Sequence, residues 1–352
     1  MAAISSSVGS GAAGAAIFVD SDSRKYRYFE PRAARATHYE DVTCDVQPDP
    51  DRYLLQNWII SFANGNGAYE KGNTKALSSN WHRFRAPDQE WERTHYQRQA
   101  KIETLVQGVV INARKAGTPA TFDKTWTKIL QTHVGAWKHA EFGLGTSMMQ
   151  AQRYGYTQMI NNATLTNSSY KMRLAQDITL YLAEIGADIE GWDDTLGKKA
   201  WLEDPTWQGT RMAIESIMGA EDYLEQYFAT NIVFEPLVGE LFRSGFLMRV
   251  SAANGDFITP TVFSAAEADY ERNLANTIDL IYLLANDETH GAANRQLFQG
   301  WIDKHAALAD KAALGLQPIW SMPHSKPVAF QDCYAQSKER FNKIIGEIGL
   351  SR

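Results

Sequence analysis

Two cysteines, Cys44 and Cys333, are all that the 352 residues contain, with no CxxC pair and no spacing of the kind that frames a small disulfide scaffold. The reducing cytosol is then the simplest home. Glycine (25) and proline (11) are no commoner than average, which excludes collagen-like and low-complexity chains. No apolar run reaches the roughly 18 residues that a membrane span needs, so nothing is expected to cross a bilayer. Excess positive charge is missing too. Lys and Arg number 35 against 41 Asp and Glu, a formal net charge of −6, which leaves no field to draw nucleic acid or an anionic membrane. GxSxG and Walker A are absent and no dinucleotide glycine fingerprint follows a strand, so hydrolase, P-loop and Rossmann chemistry have no support.

What the chain does have is an ordered globular composition, 44% hydrophobic and 22% charged, with a heavy aromatic load of 10 Trp, 15 Tyr and 15 Phe. Such side chains fill deep cores and are also enriched where subunits meet. Trp58, Trp81, Trp91, Trp126 and Trp137 read as packing or interface residues rather than a base-stacking platform, given the acidic charge. Residues 1–19 carry no charged side chain and no basic n-region, and read as a disordered tail. Residues 20–50 are charged, aromatic and aperiodic. An extended arm is expected there, since so long a structureless segment suits a partner's surface better than a compact domain.

Beyond residue 51 the pattern is helical, and a single domain is expected over 51–352. A charged helix is predicted over 88–115 with Asp88 as its N-cap. Trp126, Ile129, Leu130, His133, Val134, Trp137, Glu141, Leu144 and Met148 recur at three- and four-residue spacing, which is one face of a helix. Gly143, Gly145 and Gly155 either weaken that helix or let a neighbour come close. Asn161 to Ser169 reads as a polar linker before a helix over 170–190. Asp204 and Pro205 open a helix to about Asn231, and Pro236 interrupts before a further helix ending near Ala252. Helices over about 260–284, 292–314 and 331–348 complete a bundle whose short links imply antiparallel neighbours.

Helical bundles raise the question of a carboxylate-bridged di-iron centre, in which Glu-x-x-His pairs use i and i+3 on one face to clamp metal. Only His95 has a glutamate three residues earlier, Glu92, and only His290 has an aspartate there, Asp287. An autonomous ferritin-like metalloenzyme would need these four side chains to converge. The plainer readings are a polar helix face for Glu92 and His95 and a helix terminus for Asp287 and His290. His139 and Glu141, two apart, point to different faces and make no zinc motif.

Two stretches resemble the soluble bacterial multicomponent di-iron monooxygenases. Trp81 to Glu103, WHRFRAPDQEWERTHYQRQAKIE, resembles the W-x-x-F-R-x-P-x-x-x-W-x-R-x-x-Y-x-x-Q motif of their smaller, β-type hydroxylase subunits. Ala252 to Asn273, AANGDFITPTVFSAAEADYERN, looks like the large-subunit segment that leads into the second metal-binding Glu-x-x-His. The likeness runs over nearly the whole chain from about Tyr26, and in overall similarity it is nearest to the propane-oxidising group.

The resemblance implies an all-α, ferritin-like or ribonucleotide-reductase-like bundle. Against the large subunit's ligand pattern, Glu141 falls at the first iron-binding Glu. Lys171 and Leu174 take the first Glu-x-x-His, Pro236 (beside Glu235) the next Glu, and Tyr270 and Asn273 the second Glu-x-x-His, so five of six ligand positions are lost. A protonated lysine repels a dication, and Leu and Pro offer no donor. The expectation is therefore no catalytic, cofactor-binding or metal-binding residue in this chain, with Glu141 and Lys171 close enough for a charge-assisted hydrogen bond. What the resemblance implies for the complex is a large, α-type subunit holding the di-iron centre, in a symmetric dimer of heterodimers. A coupling protein and an NADH reductase with FAD and an iron-sulfur cluster would visit it, and O2 would hydroxylate propane or another small hydrocarbon. Alternatives are the β subunit of a methane, alkene, toluene or phenol monooxygenase, the autonomous metalloenzyme above, and a helical adaptor.

Overall fold

A computed structural model describes residues 29–44, 67 and 69–352. The expected tail (1–19) lies outside the described residues, as do Trp58 and the parts of the arm before residue 29 and after residue 44. Within 29–44 the chain forms a short helix, α1 (His38–Thr43), opened by a capping box between Thr37 and Glu40. Glu40 receives Arg85 Nε at 3.0 Å, and the Ala86 amide donates to Tyr39 Oη at 2.9 Å, so this part of the arm packs on the chain's own bundle.

The bundle is all helical among the described residues. Its elements are α2 (Glu92–Lys115), α3 (Lys124–Ile129), α4 (Gly135–Tyr154), α5 (Gln158–Gly186), α6 (Thr195–Glu203), α7 (Pro205–Met218), α8 (Tyr223–Phe228), α9 (Met248–Val250), α10 (Ile258–Ala285), α11 (Gly291–Gly315) and α12 (Phe330–Glu347). No helix is long and apolar enough to cross a membrane among the described residues. Between α3 and α4 the chain widens into a π turn at Leu130–Val134. Between α8 and α9 two π-wound stretches, Ala229–Gly239 and Leu241–Leu247, continue the helix.

The apolar stripe from Trp126 to Met148 is buried throughout, as its spacing predicts. Gly143 sits against the Ile214 side chain and Gly145 against Met172, so these glycines admit α7 and α5 rather than weaken α4. Other expectations need correction. Asp88 does not cap α2. Trp91 holds that position, and Thr94 Oγ1 accepts its amide at 3.0 Å. The polar stretch Asn161–Ser169 is not a linker but the buried first half of α5. Thr164 and Thr166 return their hydroxyls to backbone carbonyls there, and Ser168 Oγ donates to Gly145 O at 2.8 Å. The helix from Pro205 stops at Met218 instead of reaching Asn231. Pro236 does not interrupt: the wide turns around it absorb the missing N–H that would break an α-helix.

α4 pairs along its length with α5, and α7 with α11, while the π-wound segment is sheathed by α10, α11 and α12. Its aromatics form a connected core: Trp137 and Phe242 at 4.9 Å, Trp207 and Phe242 at 5.5 Å, Phe246 and Trp320 at 4.6 Å between ring centroids. The aromatic load therefore serves mainly this chain's own interior. Among the described aromatics, Tyr96, Phe142, Phe257 and Tyr282 stay exposed.

Candidate functional site

The centre of the bundle is built by α4, α5 and the π-wound segment. Gly145, one turn beyond Glu141, brings α5 close: a Cβ there would stand 3.4 Å from Lys171 Cβ. Across this narrow crossing Lys171 Nζ donates to Glu141 Oε2 at 3.1 Å, the pairing expected from the sequence. The same ammonium also donates to Glu235 Oε1. Glu235 is thus the acid that faces the centre, and its neighbour Pro236 is a buried backbone element.

Arg243 was not foreseen. Its Nη1 donates to Glu141 Oε1 at 3.0 Å, its Nη2 to Glu235 Oε2 at 2.5 Å and its Nε to Glu267 Oε1 at 2.5 Å. Glu235, Gly239 and Arg243 recur every fourth residue, and a Cβ on Gly239 would collide with Glu235 Oε2 and fall 2.9 Å from Arg243 Nη1. That i, i+4, i+8 spacing of acid, glycine and arginine is the signal the sequence carried. It is hidden in an apolar run that reads simply as core. Trp137 Nε1 completes the ring by donating to Glu141 Oε1 at 2.8 Å.

Glu141, Lys171 and Glu235 are fully buried and Arg243 is 1% exposed. Burial alone would raise the Glu235 pKa, but Arg243 and Lys171 outweigh it and hold the carboxyl well below the ordinary range. For Arg243 burial works against the charge, and Glu235, Glu267 and Glu141 more than restore it, so its pKa rises. Lys171 Nζ lies 4.8 Å over the Tyr170 ring, and the guanidinium 5.9 Å from both the Trp137 and Tyr270 rings, so aromatic faces wall the cations. The centre is a closed ring of two carboxylates and two cations.

A di-iron group does not fit this donor set. Each oxygen of Glu141 and Glu235 already accepts from Lys171 or Arg243, and two fixed positive charges stand where cations would enter. The other residues at ligand positions are committed elsewhere: Tyr270 Oη donates to Asn231 O at 3.1 Å, Asn273 Nδ2 to Asp269 O at 2.8 Å, and Leu174 is apolar core.

The four side chains of an autonomous metalloenzyme are not brought together. Glu92 is exposed, and His95 is buried with Nδ1 2.9 Å from Glu90 Oε2. Asp287 accepts from the amides of Ser79, Thr289 and His290. Among the described residues no three His, Cys, Asp or Glu side chains form a group able to hold a metal ion.

The motif-bearing stretch Trp81 to Glu103 acts as a staple. Arg85 holds Glu40, Glu90 holds His95, Arg98 and Arg272, and Gln99 donates to Asp269 on α10. Arg173 on α5 and Arg98 reach the same Asp269, so a single acid joins three helices.

Set against known proteins, residues 58–288 match the family model described as Methane/Phenol/Alkene Hydroxylase. The chain is 44% identical over 339 residues to the propane 2-monooxygenase hydroxylase component small subunit of Mycolicibacterium smegmatis, covering 96% of this chain and 92% of that protein. Its identity to the protein of the same description from Rhodococcus jostii is 42% over the same length and coverage. Among solved structures, phenol hydroxylase from Pseudomonas sp. OX1 superposes with a TM-score of 0.74 at 17% identity, over 94% of this chain and 99% of that one, a likeness of fold.

Proposed function

This chain belongs to the methane/phenol/alkene hydroxylase family, and from that premise we propose that it is the non-catalytic small subunit of a hydroxylase component that oxidises propane or a similar small hydrocarbon. The observation that carries the reading is the centre itself, a metalloenzyme's bundle in which Lys171 and Arg243 stand between the carboxylates. Such a chain has kept the architecture and given up the chemistry. On this reading a large subunit supplies the di-iron centre, the small subunit braces it, and two such pairs form a symmetric dimer. A coupling protein docks on the assembly. A reductase with FAD and an iron-sulfur cluster passes electrons from NADH, and O2 supplies the oxygen atom. Two buried free cysteines and the absence of a spanning helix among the described residues suit the cytoplasm.

Co-expression tests this. Tagged chain is expected to co-purify in equal amount with a large subunit carrying two intact Glu-x-x-His motifs, and the pair to hydroxylate propane once coupling protein and reductase are added. A large subunit that reaches the same rate alone, or that never co-purifies, overturns the proposal.

A further inference from the structure

We infer that Lys171 is the resident cation of a latent divalent-metal site, and that its ammonium is what closes the centre of this chain to metal ions. The argument starts from hydrogen-bond capacity. Arg243 bridges the outer oxygens, Glu141 Oε1 and Glu235 Oε2, and Trp137 adds a donor to the first. Lys171 alone engages the inner pair, Glu141 Oε2 and Glu235 Oε1. Removing the ammonium therefore frees one oxygen on each carboxylate, both aimed at the point where Nζ now sits. Arg243 would still hold the two carboxylates in register, and water would have to supply the remaining oxygens of a coordination shell.

Charge selects what would enter. Glu141, Glu235 and Glu267 converge on Lys171 and Arg243, three negative groups on two positive ones. Without Lys171 the cluster is left two charges short, and a proton would repair only one. A hard divalent ion repairs both, and its preference for carboxylate and water oxygens matches what is exposed. Glu141 Oε2 lies 3.1 Å from Nζ, so a metal–oxygen bond of about 2.1 Å asks the carboxylate to close by about 1 Å, within reach of a glutamate side chain. The native lysine thus does for the fold what a metal would do, without needing one. The inference concerns this chain alone, so its failure leaves the subunit reading standing.

The test uses the full chain expressed without its partners. Mn2+ is titrated while the free-ion electron paramagnetic resonance signal is followed, for wild type, Lys171→Ala and Lys171→Ala/Glu141→Gln. Wild type and the double variant should leave the signal free. Lys171→Ala should take up one Mn2+ per chain at least tenfold more tightly than either, and its melting midpoint should rise with Mn2+. A folded Lys171→Ala that binds no more Mn2+ than wild type overturns the inference. So does one whose midpoint recovers on acidification but ignores Mn2+, because a proton has then replaced the ammonium. If the alanine variant does not accumulate, Lys171→Gln, whose amide can still donate to one carboxylate, takes its place in the titration. Tighter Mn2+ uptake than wild type by that variant supports the inference, and uptake no tighter overturns it.

Discussion

Four charged side chains inside a bundle must each recover the hydration that burial removes. Glu141, Glu235, Lys171 and Arg243 do so chiefly by bonding one another, with Trp137 and Glu267 completing the set. Deleting one member leaves an uncompensated charge, a cost of about 3–5 kcal/mol, whereas an apolar replacement of the whole set can be neutral. A few residues along the same helix, Glu240 meets the opposite environment. Burial first, then Glu267 and Glu271 on α10, push its carboxyl up to about 8 against the pull of Arg243 and Arg340. Arg340 stands 3.5 Å away and makes its closer contact with Glu271. The folded-state pKa exceeds the unfolded value of 4.5, so the folded chain binds this proton more tightly. Its contribution to stability is therefore complete below about pH 4.5 and is lost as pH rises through about 8. Glu240→Gln removes that dependence. Relative to wild type its melting midpoint should climb steadily from about pH 5 to about pH 9, by several degrees. A difference that stays flat across that range would show that Arg340 already keeps Glu240 ionised.

At the scale of elements, close approach between helices decides where the centre sits. α6 crosses the start of α4 through two glycines, and a Cβ on Gly197 would lie 2.6–2.8 Å from the Gly135 backbone. Backbone cannot swing aside as a side chain can. Gly197→Ala should cost about 1–3 kcal/mol and lower the midpoint of thermal unfolding, while Gly346→Ala, a helical glycine with nothing within 4 Å, should not. Equal effects at the two positions would mean that helix propensity and not the crossing governs. The crossing was not legible in the sequence, where α6 is short and polar. What was legible followed simple rules: the Trp126 to Met148 stripe obeys helical spacing, and Asp204 with Pro205 opens α7 as a cap and first turn should. Misreadings arose where tertiary structure overrode composition. Asn161 to Ser169 looks like a linker because its side chains are polar, yet their hydroxyls are satisfied within helices and the segment is core. Pro236 looks like a stop because an α-helix cannot pass it, and a π-wound one does. At the centre, Glu141 and Lys171 could be found by position, but Arg243 is buried in an apolar run and shows its role only once the chain is folded.

For the whole molecule the consequence is a chain that owns its core and closes the centre of that core with paired charges. Trp126, Trp137 and Trp207 are fully buried by this chain's own helices, and the described part of the arm is tied to Arg85 and Ala86 of the same chain. Such a subunit should fold without help. Expressed alone, it is expected to melt in one cooperative transition, monitored by helical circular dichroism, since its buried contacts do not wait for a partner. Partnership then enters by mass action. Whatever binds the folded chain and not the unfolded one stabilises it by about 2.7 kcal/mol at one hundred times the dissociation constant. For a chain of this length that is a shift of a few degrees, growing with the logarithm of partner concentration. Adding the large subunit should therefore raise the midpoint of this chain in a concentration-dependent way. Adding a large subunit stripped of iron should do so equally, because the contacts of a brace do not include the metal. A midpoint that ignores the large subunit would argue for a self-sufficient adaptor. One that responds only to the iron-loaded form would tie this chain to the metal centre more closely than a scaffold should be.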